Sequence, residues 1–211
     1  MREMIPASVS RGGGEMPVAR VIPAKWLVGG HIERVVVHWT GGTYLVSTRD
    51  RSHYHAILQD NQARGKTAGV EVVAVRGYHT PDDNDLTSDE DYAAHVSGLN
   101  TRSFGLSAAC MGEPLGATGA KRCIPGGPYG PWPLTSALWE RLAQAAAEVL
   151  FAYDLPVTER TVLQHGEVQR VYGAHQSGKW DCCETPWQPG RSHADVCAEF
   201  RRKVVFFKGR L

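Results

Sequence analysis

The chain has 211 residues, 42% of them hydrophobic and 21% charged, with 23 Lys and Arg against 22 Asp and Glu for a formal charge of +1. One domain is the default at this size, and the near-zero charge excludes a nucleic-acid binder that works by bulk electrostatics. No apolar run approaches the roughly 18 residues of a membrane-spanning helix, the opening residues lack the apolar stretch of a secretory signal, and five cysteines are too few, and odd in number, for a disulfide scaffold.

Residues 1–17 are Gly-rich and patternless, and read as a loose leader to a domain over 18–211. The β-branched run Glu33–Trp39, closed by Thr40-Gly41-Gly42, predicts a buried strand ending in a tight turn. Ser52–Gln59 alternates as a second strand, turned by Asp60-Asn61, and Val70–Val75 reads as a third. An acidic loop over 76–91 carries six carboxylates (Asp82, Asp83, Asp85, Asp89, Glu90, Asp91) and reads as a solvated insertion, since it lacks the spaced pattern of a calcium loop. Ser103–Ala109 makes another strand, and residues 111–133 are a long Gly/Pro-rich excursion of the kind that is often functional. Cys110 and Cys123 flank that excursion and could bridge it, but a protein made in the cytoplasm favours free thiols.

From Thr135 to Asp154 the pattern becomes helical, with Leu138, Leu142, Ala145, Val149 and Tyr153 on one stripe and Glu140, Arg141, Gln144 and Glu148 largely off it. Thr135 or Ser136 caps its start and Leu155-Pro156 stops it. Thr161–His165 is a last strand-like run, and the basic residues of 201–210 read as a solvated terminus. Strands interspersed with one strong helix predict an α/β fold, a single domain with a central mixed β-sheet flanked by helices.

Histidine is the unusual residue, with nine in the chain. His38 and His165 both stand at the ends of predicted strands, where ligand sites form in open α/β sheets. A catalytic zinc needs three protein ligands and an open position. Gly178-Lys179-Trp180-Asp181-Cys182-Cys183 offers both a carboxylate and a thiolate to complete such a set. No His-Glu-x-x-His pattern is present, which excludes a metalloprotease of that kind. His53, His55, His79 and His175 read as strand or surface residues.

Four segments in order, VVVHWTGG (35–42), SHYHAILQDN (52–61), AAHVSGLNTRSFGLS (93–107) and HGEVQ (165–169) followed by GKWD (178–181), resemble the zinc-dependent N-acetylmuramoyl-L-alanine amidases. That group includes phage lysozyme-type amidases and the peptidoglycan recognition proteins. The likeness runs from about residue 33 to 187, and the Gln-Ser-Gly-Lys-Trp-Asp stretch is most similar to phage and prophage members.

The resemblance implies an amidase/peptidoglycan-recognition-protein-like fold and one zinc ion held by His38, His165 and Asp181. Cys182 is a rival for the last place, which family members fill with either aspartate or cysteine. Two imidazoles and one carboxylate leave a net positive ion, which lowers the pKa of bound water from about 15.7 toward roughly 7. Lys179 is implied as a donor to the developing oxyanion, and Tyr54 as the residue that orients water or stabilises the transition state. The glutamate that one branch uses is absent, because Phe104-Gly105-Leu106-Ser107 stands in its place. His95 matches the histidine of the family's Trp-His-Ala-Gly segment, with Ala94 replacing the tryptophan, and with Asn100 is implied to line the substrate groove. Glu167, two residues past His165, reads as an exposed turn carboxylate, with orientation of that histidine as its other reading.

The function so implied is hydrolysis of the amide between N-acetylmuramic acid and L-alanine in peptidoglycan, by a monomer made in the cytoplasm. A phage or prophage endolysin that reaches the wall through a holin-type pore is the leading expectation. The alternatives are a cytoplasmic amidase that recycles muropeptides, and a peptidoglycan-binding module without catalysis.

Overall fold

The computed structural model describes residues 18–61, 72–82, 84–85 and 92–211. The expected leader over 1–17 and the residues Asp83, Asp89, Glu90 and Asp91 of the acidic loop lie outside them. The described residues form one mixed α/β domain built on a five-stranded sheet. In chain order its elements are β1 (Arg34–Trp39), α1 (Thr48–His53), β2 (Ala56–Asp60), β3 (Val72–Arg76), β4 (Ser103–Ala108), α2 (Ser136–Ala152), β5 (Val162–Gln164), α3 (Val168–Tyr172) and α4 (His193–Lys208). The sheet order is β3-β2-β4-β1-β5. β1 pairs in parallel with both β4 and β5, β2 pairs in parallel with β4, and the edge strand β3 runs antiparallel to β2.

The interior strand β1 is buried along its whole length, as a strand covered on both faces must be. Its alternation assigns the faces. Val35, Val37 and Trp39 enter the main core with Phe104, Leu106 and Ala108 of β4, Ala56 and Leu58 of β2, and the apolar stripe of α2. Val36 turns to the opposite face, into a small cluster with Val96 and Val168. His38 shares that second face. There β4 presents only Ser103, Gly105 and Ser107, all small residues, and leaves room above the sheet for a polar site.

The helix expected over 135–154 is α2, capped by the Thr135 hydroxyl accepting from Leu138 N–H. Gln144 and Glu148 on it are buried rather than solvated, because residues 19–22 run across them. The Glu148 carboxylate accepts the N–H groups of Val21 and Ile22 at 2.8 and 2.7 Å, and Gln144 donates to the Ala19 carbonyl at 2.7 Å.

Two elements depart from the sequence reading. Ser52 and His53 belong to a helix rather than a strand, and β2 starts at Ala56. A reciprocal cap starts that helix: the Asp50 carboxylate accepts from Ser47 N–H at 2.8 Å, and the Ser47 hydroxyl accepts from Asp50 N–H at 3.1 Å. The basic terminus is the helix α4, whose Val196, Phe200, Val204 and Phe207 are buried against α2. All five cysteines are free thiols, and that of Cys123 donates to the Tyr129 carbonyl at 2.9 Å. No helix among the described residues is long and apolar enough to cross a membrane.

Candidate metal centre

Strand register builds the site. In the parallel β1–β5 pair, Val37 stands opposite Gln164, so the next residues along, His38 and His165, emerge side by side at the carboxyl ends of the strands. Their Nδ1 atoms are 3.0 Å apart. Asp181 Oδ2 completes a triangle, 3.2 Å from His38 Nδ1 and 3.1 Å from His165 Nδ1. All three side chains are buried.

Asp181 arrives on the segment that follows Gly178, and two contacts hold it. Trp180 packs edge-on to Trp39 at the end of β1, ring centroids 4.6 Å apart, and Gly166 N–H donates to the Asp181 carbonyl at 2.7 Å. Gly166 permits the close approach. A Cβ there would meet Cys183 Sγ at 2.7 Å and Trp180 Cα at 3.0 Å.

The donor set fits a divalent cation. In a tetrahedral site with bonds of about 2.0–2.1 Å the edges between ligand atoms are about 3.3 Å, close to the triangle observed. Burial lowers the pKa of His38 to about 4, helped by the charge of His165 and opposed by Asp181, so His38 is a neutral imidazole at pH 7. Burial pushes Asp181 up, but the His165 and His38 imidazoles beside it outweigh burial and hold the carboxyl well below the usual carboxylate range. The site therefore carries a buried negative charge that an ion of charge +2 would turn positive.

The rival thiol is elsewhere. Cys182 is fully buried in the hydrophobic core, and burial drives its pKa far above that of a free thiol.

A cavity of about 860 Å³ opens over His165 and Asp181, lined also by Thr40, Tyr54, Asn100 and Lys179 among others. Tyr54, the residue that ends α1, places its ring 5.2 Å from that of His38. Burial, and then the charge of Asp181, raise its pKa far above that of a free phenol, so it stays a hydrogen-bond donor. Lys179 is exposed at the cavity wall.

His95 lies against the inner side of His38. Its Nδ1 is 3.1 Å from His38 Nε2, and its Nε2 is 3.2 Å from the Ser103 carbonyl. Asn100 Oδ1 accepts the N–H groups of His95 and Val96 at 2.9 and 2.7 Å, which shapes the turn that carries His95.

Glu167 is buried rather than exposed. Its carboxylate accepts from Gln164 N–H at 3.1 Å and from Arg201 of α4 at 2.8 Å, bracing the turn after His165 without touching the imidazole. His55 is a core residue, stacked on Phe104 at 4.9 Å and accepting from Gly105 N–H at 2.9 Å.

The sequence reading missed Gln176, whose Oε1 is 2.8 Å from His165 Nε2. Its one signal was position, a lone amide between His165 and Asp181.

The family model for N-acetylmuramoyl-L-alanine amidase matches residues 28–190, a span that holds every residue of the site. The chain belongs to this family. No curated protein matches it. The amidase fold accounts for the mixed sheet with the site at its strand ends, and members of this family are typically zinc-dependent, as the buried His38, His165 and Asp181 group suits.

Proposed function

We propose that the protein is a zinc-dependent N-acetylmuramoyl-L-alanine amidase that cleaves the amide joining the lactyl group of N-acetylmuramic acid to L-alanine. The observation that carries this reading is the convergence of His38 Nδ1, His165 Nδ1 and Asp181 Oδ2 within 3.2 Å of one another beneath a cavity. Its volume of about 860 Å³ falls in the ordinary range for a small-molecule site, roughly 300–1,000 Å³.

His38, His165 and Asp181 would hold one zinc ion. Bound there, zinc supplies Lewis acidity and water acidified toward about pKa 7. Lys179 donates to the carbonyl oxygen as negative charge develops on it, a preorganised contact that strengthens toward the transition state. Tyr54, protonated throughout, donates to the attacking water or the reacting carbonyl and orients it. Water oxygen bonds to the carbonyl carbon, the C–N bond breaks, and a proton reaches the leaving amine of L-alanine through water beside Tyr54. His95 and Asn100 bound the groove, where Asn100 has its Nδ2 to offer a glycan or stem peptide.

The role we assign is that of a monomeric phage- or prophage-type endolysin reaching polymeric wall through a holin-type pore. It rests on the likeness of the Gln176–Asp181 segment to such members.

Digestion of purified peptidoglycan with and without a chelator, read by mass spectrometry, tests the reading. It requires free stem peptides beginning with L-alanine, released only in the metal-replete samples. Cleavage of small muropeptides but not of polymer would reassign the enzyme to recycling. Retention of both without cleavage would make it a binding module.

A further inference from the structure

The geometry points to Gln176 and His95 as positioning residues that fix the tautomers of His165 and His38, so that both imidazoles present a bare Nδ1 at the same point. This rests on the zinc reading above. A neutral imidazole has one proton, and whichever nitrogen carries it is lost as a ligand.

For His165 the assignment follows from the Gln176 amide. Gln176 Nε2 donates to the Ser97 carbonyl at 2.7 Å and lies 3.5 Å from the Ala174 carbonyl. Two acceptors at that end require the NH₂ group there, so the other end, Oε1, faces His165 Nε2 at 2.8 Å. An amide oxygen only accepts, so the His165 proton sits on Nε2 and its Nδ1 lone pair is free. Gln176 is itself buried, and its backbone N–H donates to Gln169 Oε1 of α3 at 3.1 Å.

For His38 the same logic runs through one more ring. The Ser103 carbonyl can only accept, so His95 carries its proton on Nε2, 3.2 Å away. His95 Nδ1 is then an acceptor, the His38 proton sits on Nε2 at 3.1 Å, and His38 Nδ1 is bare. Room for this relay comes from β4, where a Cβ at Gly105 would sit 2.7 Å from the His95 ring.

The competitor is Asp181. Its Oδ2 lies 3.1 to 3.2 Å from both Nδ1 atoms, and a carboxylate is a stronger acceptor than an amide or peptide carbonyl. Without the far-side acceptors, each ring gains by moving its proton to Nδ1 and donating to Asp181, which closes the metal position. Gln176 and the Ser103–His95 relay hold the protons on the far side. Partners of this kind typically change metal affinity about 10- to 100-fold.

The test is ¹⁵N-histidine NMR on zinc-free full-length protein at neutral pH, paired with zinc affinity by chelator competition. In the unmodified protein both His38 and His165 should show the Nε2–H pattern. An Nδ1–H pattern in either overturns the inference whatever the variants do. Gln176→Met, which keeps length and removes the acceptor, should move the His165 proton to Nδ1 and weaken zinc about 10- to 100-fold. Gln176→Glu, which restores an acceptor oxygen, should return the Nε2–H pattern. A folded Gln176→Met protein with unchanged zinc affinity and tautomer refutes the inference while leaving amidase activity, and so the functional reading, intact. Conversely, failure to cut peptidoglycan with these tautomer and affinity changes present would sink the functional reading alone.

Discussion

Gly166→Ala is the smallest change that tests how the fold delivers Asp181 to the two histidines. The new methyl would lie 2.7 Å from Cys183 Sγ, 3.0 Å from Trp180 Cα and 3.3 Å from the Lys179 carbonyl. Ordinary contacts of this kind are about 3.5–4.0 Å, so the shortfall is roughly 0.5–1 Å. Cys183 has nowhere to retreat, because its Sγ already lies 3.5 Å from Cys197 Sγ on α4. The segment 179–183 must therefore lift, stretching the 2.7 Å bond from Gly166 N–H to the Asp181 carbonyl and drawing the carboxylate off both Nδ1 atoms. Overpacking of this kind costs about 1–3 kcal/mol, which at about 2–4 °C per kcal/mol for a chain of this size lowers Tm by about 2–12 °C. A displacement near 1 Å at the reacting centre costs activity on the order of 100-fold. Thermal unfolding of zinc-free protein and zinc competition read the two effects separately. Gly209→Ala is the control, since its methyl would find no atom nearer than 3.6 Å. A Gly166→Ala protein with unaltered Tm and zinc affinity would refute the reasoning.

Lys179→Ala should keep its zinc and lose about 100- to 1,000-fold in rate; metal analysis beside single-turnover kinetics separates the two, and loss of zinc would contradict the role given to the lysine. Metal-free protein should lose stability on mild acidification. The folded His38 resists protonation until about pH 4, whereas the unfolded chain takes up the proton near 6.5. Stability from this group is thus complete above pH 6.5 and drains as pH falls toward 4, by on the order of 3 kcal/mol at about 1.4 kcal/mol per unit. Urea unfolding across that window should show the slope, and His38→Gln should reduce it, leaving the part that buried His95 contributes by the same desolvation. Phe200→Ala removes a fully buried ring of α4 from the core over α2 and should cost about 3–5 kcal/mol in denaturant melts, which a merely solvated terminus would not.

How much of this was legible beforehand follows physical lines. The β-branched run ending in His38 and the Leu/Ala stripe of α2 were readable because local periodicity and burial agree there. The adjacency of His38 and His165 was not, since it depends on the parallel register of strands whose paired residues lie 127 apart in sequence. The helix α4 escaped because Arg201-Arg202-Lys203 interrupt a stripe that only α2 makes apolar by covering it. Gln144 and Glu148 lie off the apolar stripe of α2, and nothing local announces that residues 19–22 cross and bury them. Glu167 resembled an exposed turn carboxylate because nothing local announces Arg201, 34 residues later. The choice between Asp181 and Cys182 came from a family resemblance, and the structure places the first beside the histidines and the second in the core.

Metal reconstitution tests the central claim most directly. Protein stripped by a chelator and titrated with zinc should regain release of L-alanine-terminated stem peptides in step with metal, saturating at one equivalent per chain. His165→Ala and Asp181→Ala should bind no zinc at the concentrations that saturate the unmodified protein and release nothing. Full activity in the stripped protein, or an active zinc-replete Asp181→Ala enzyme, would contradict the account.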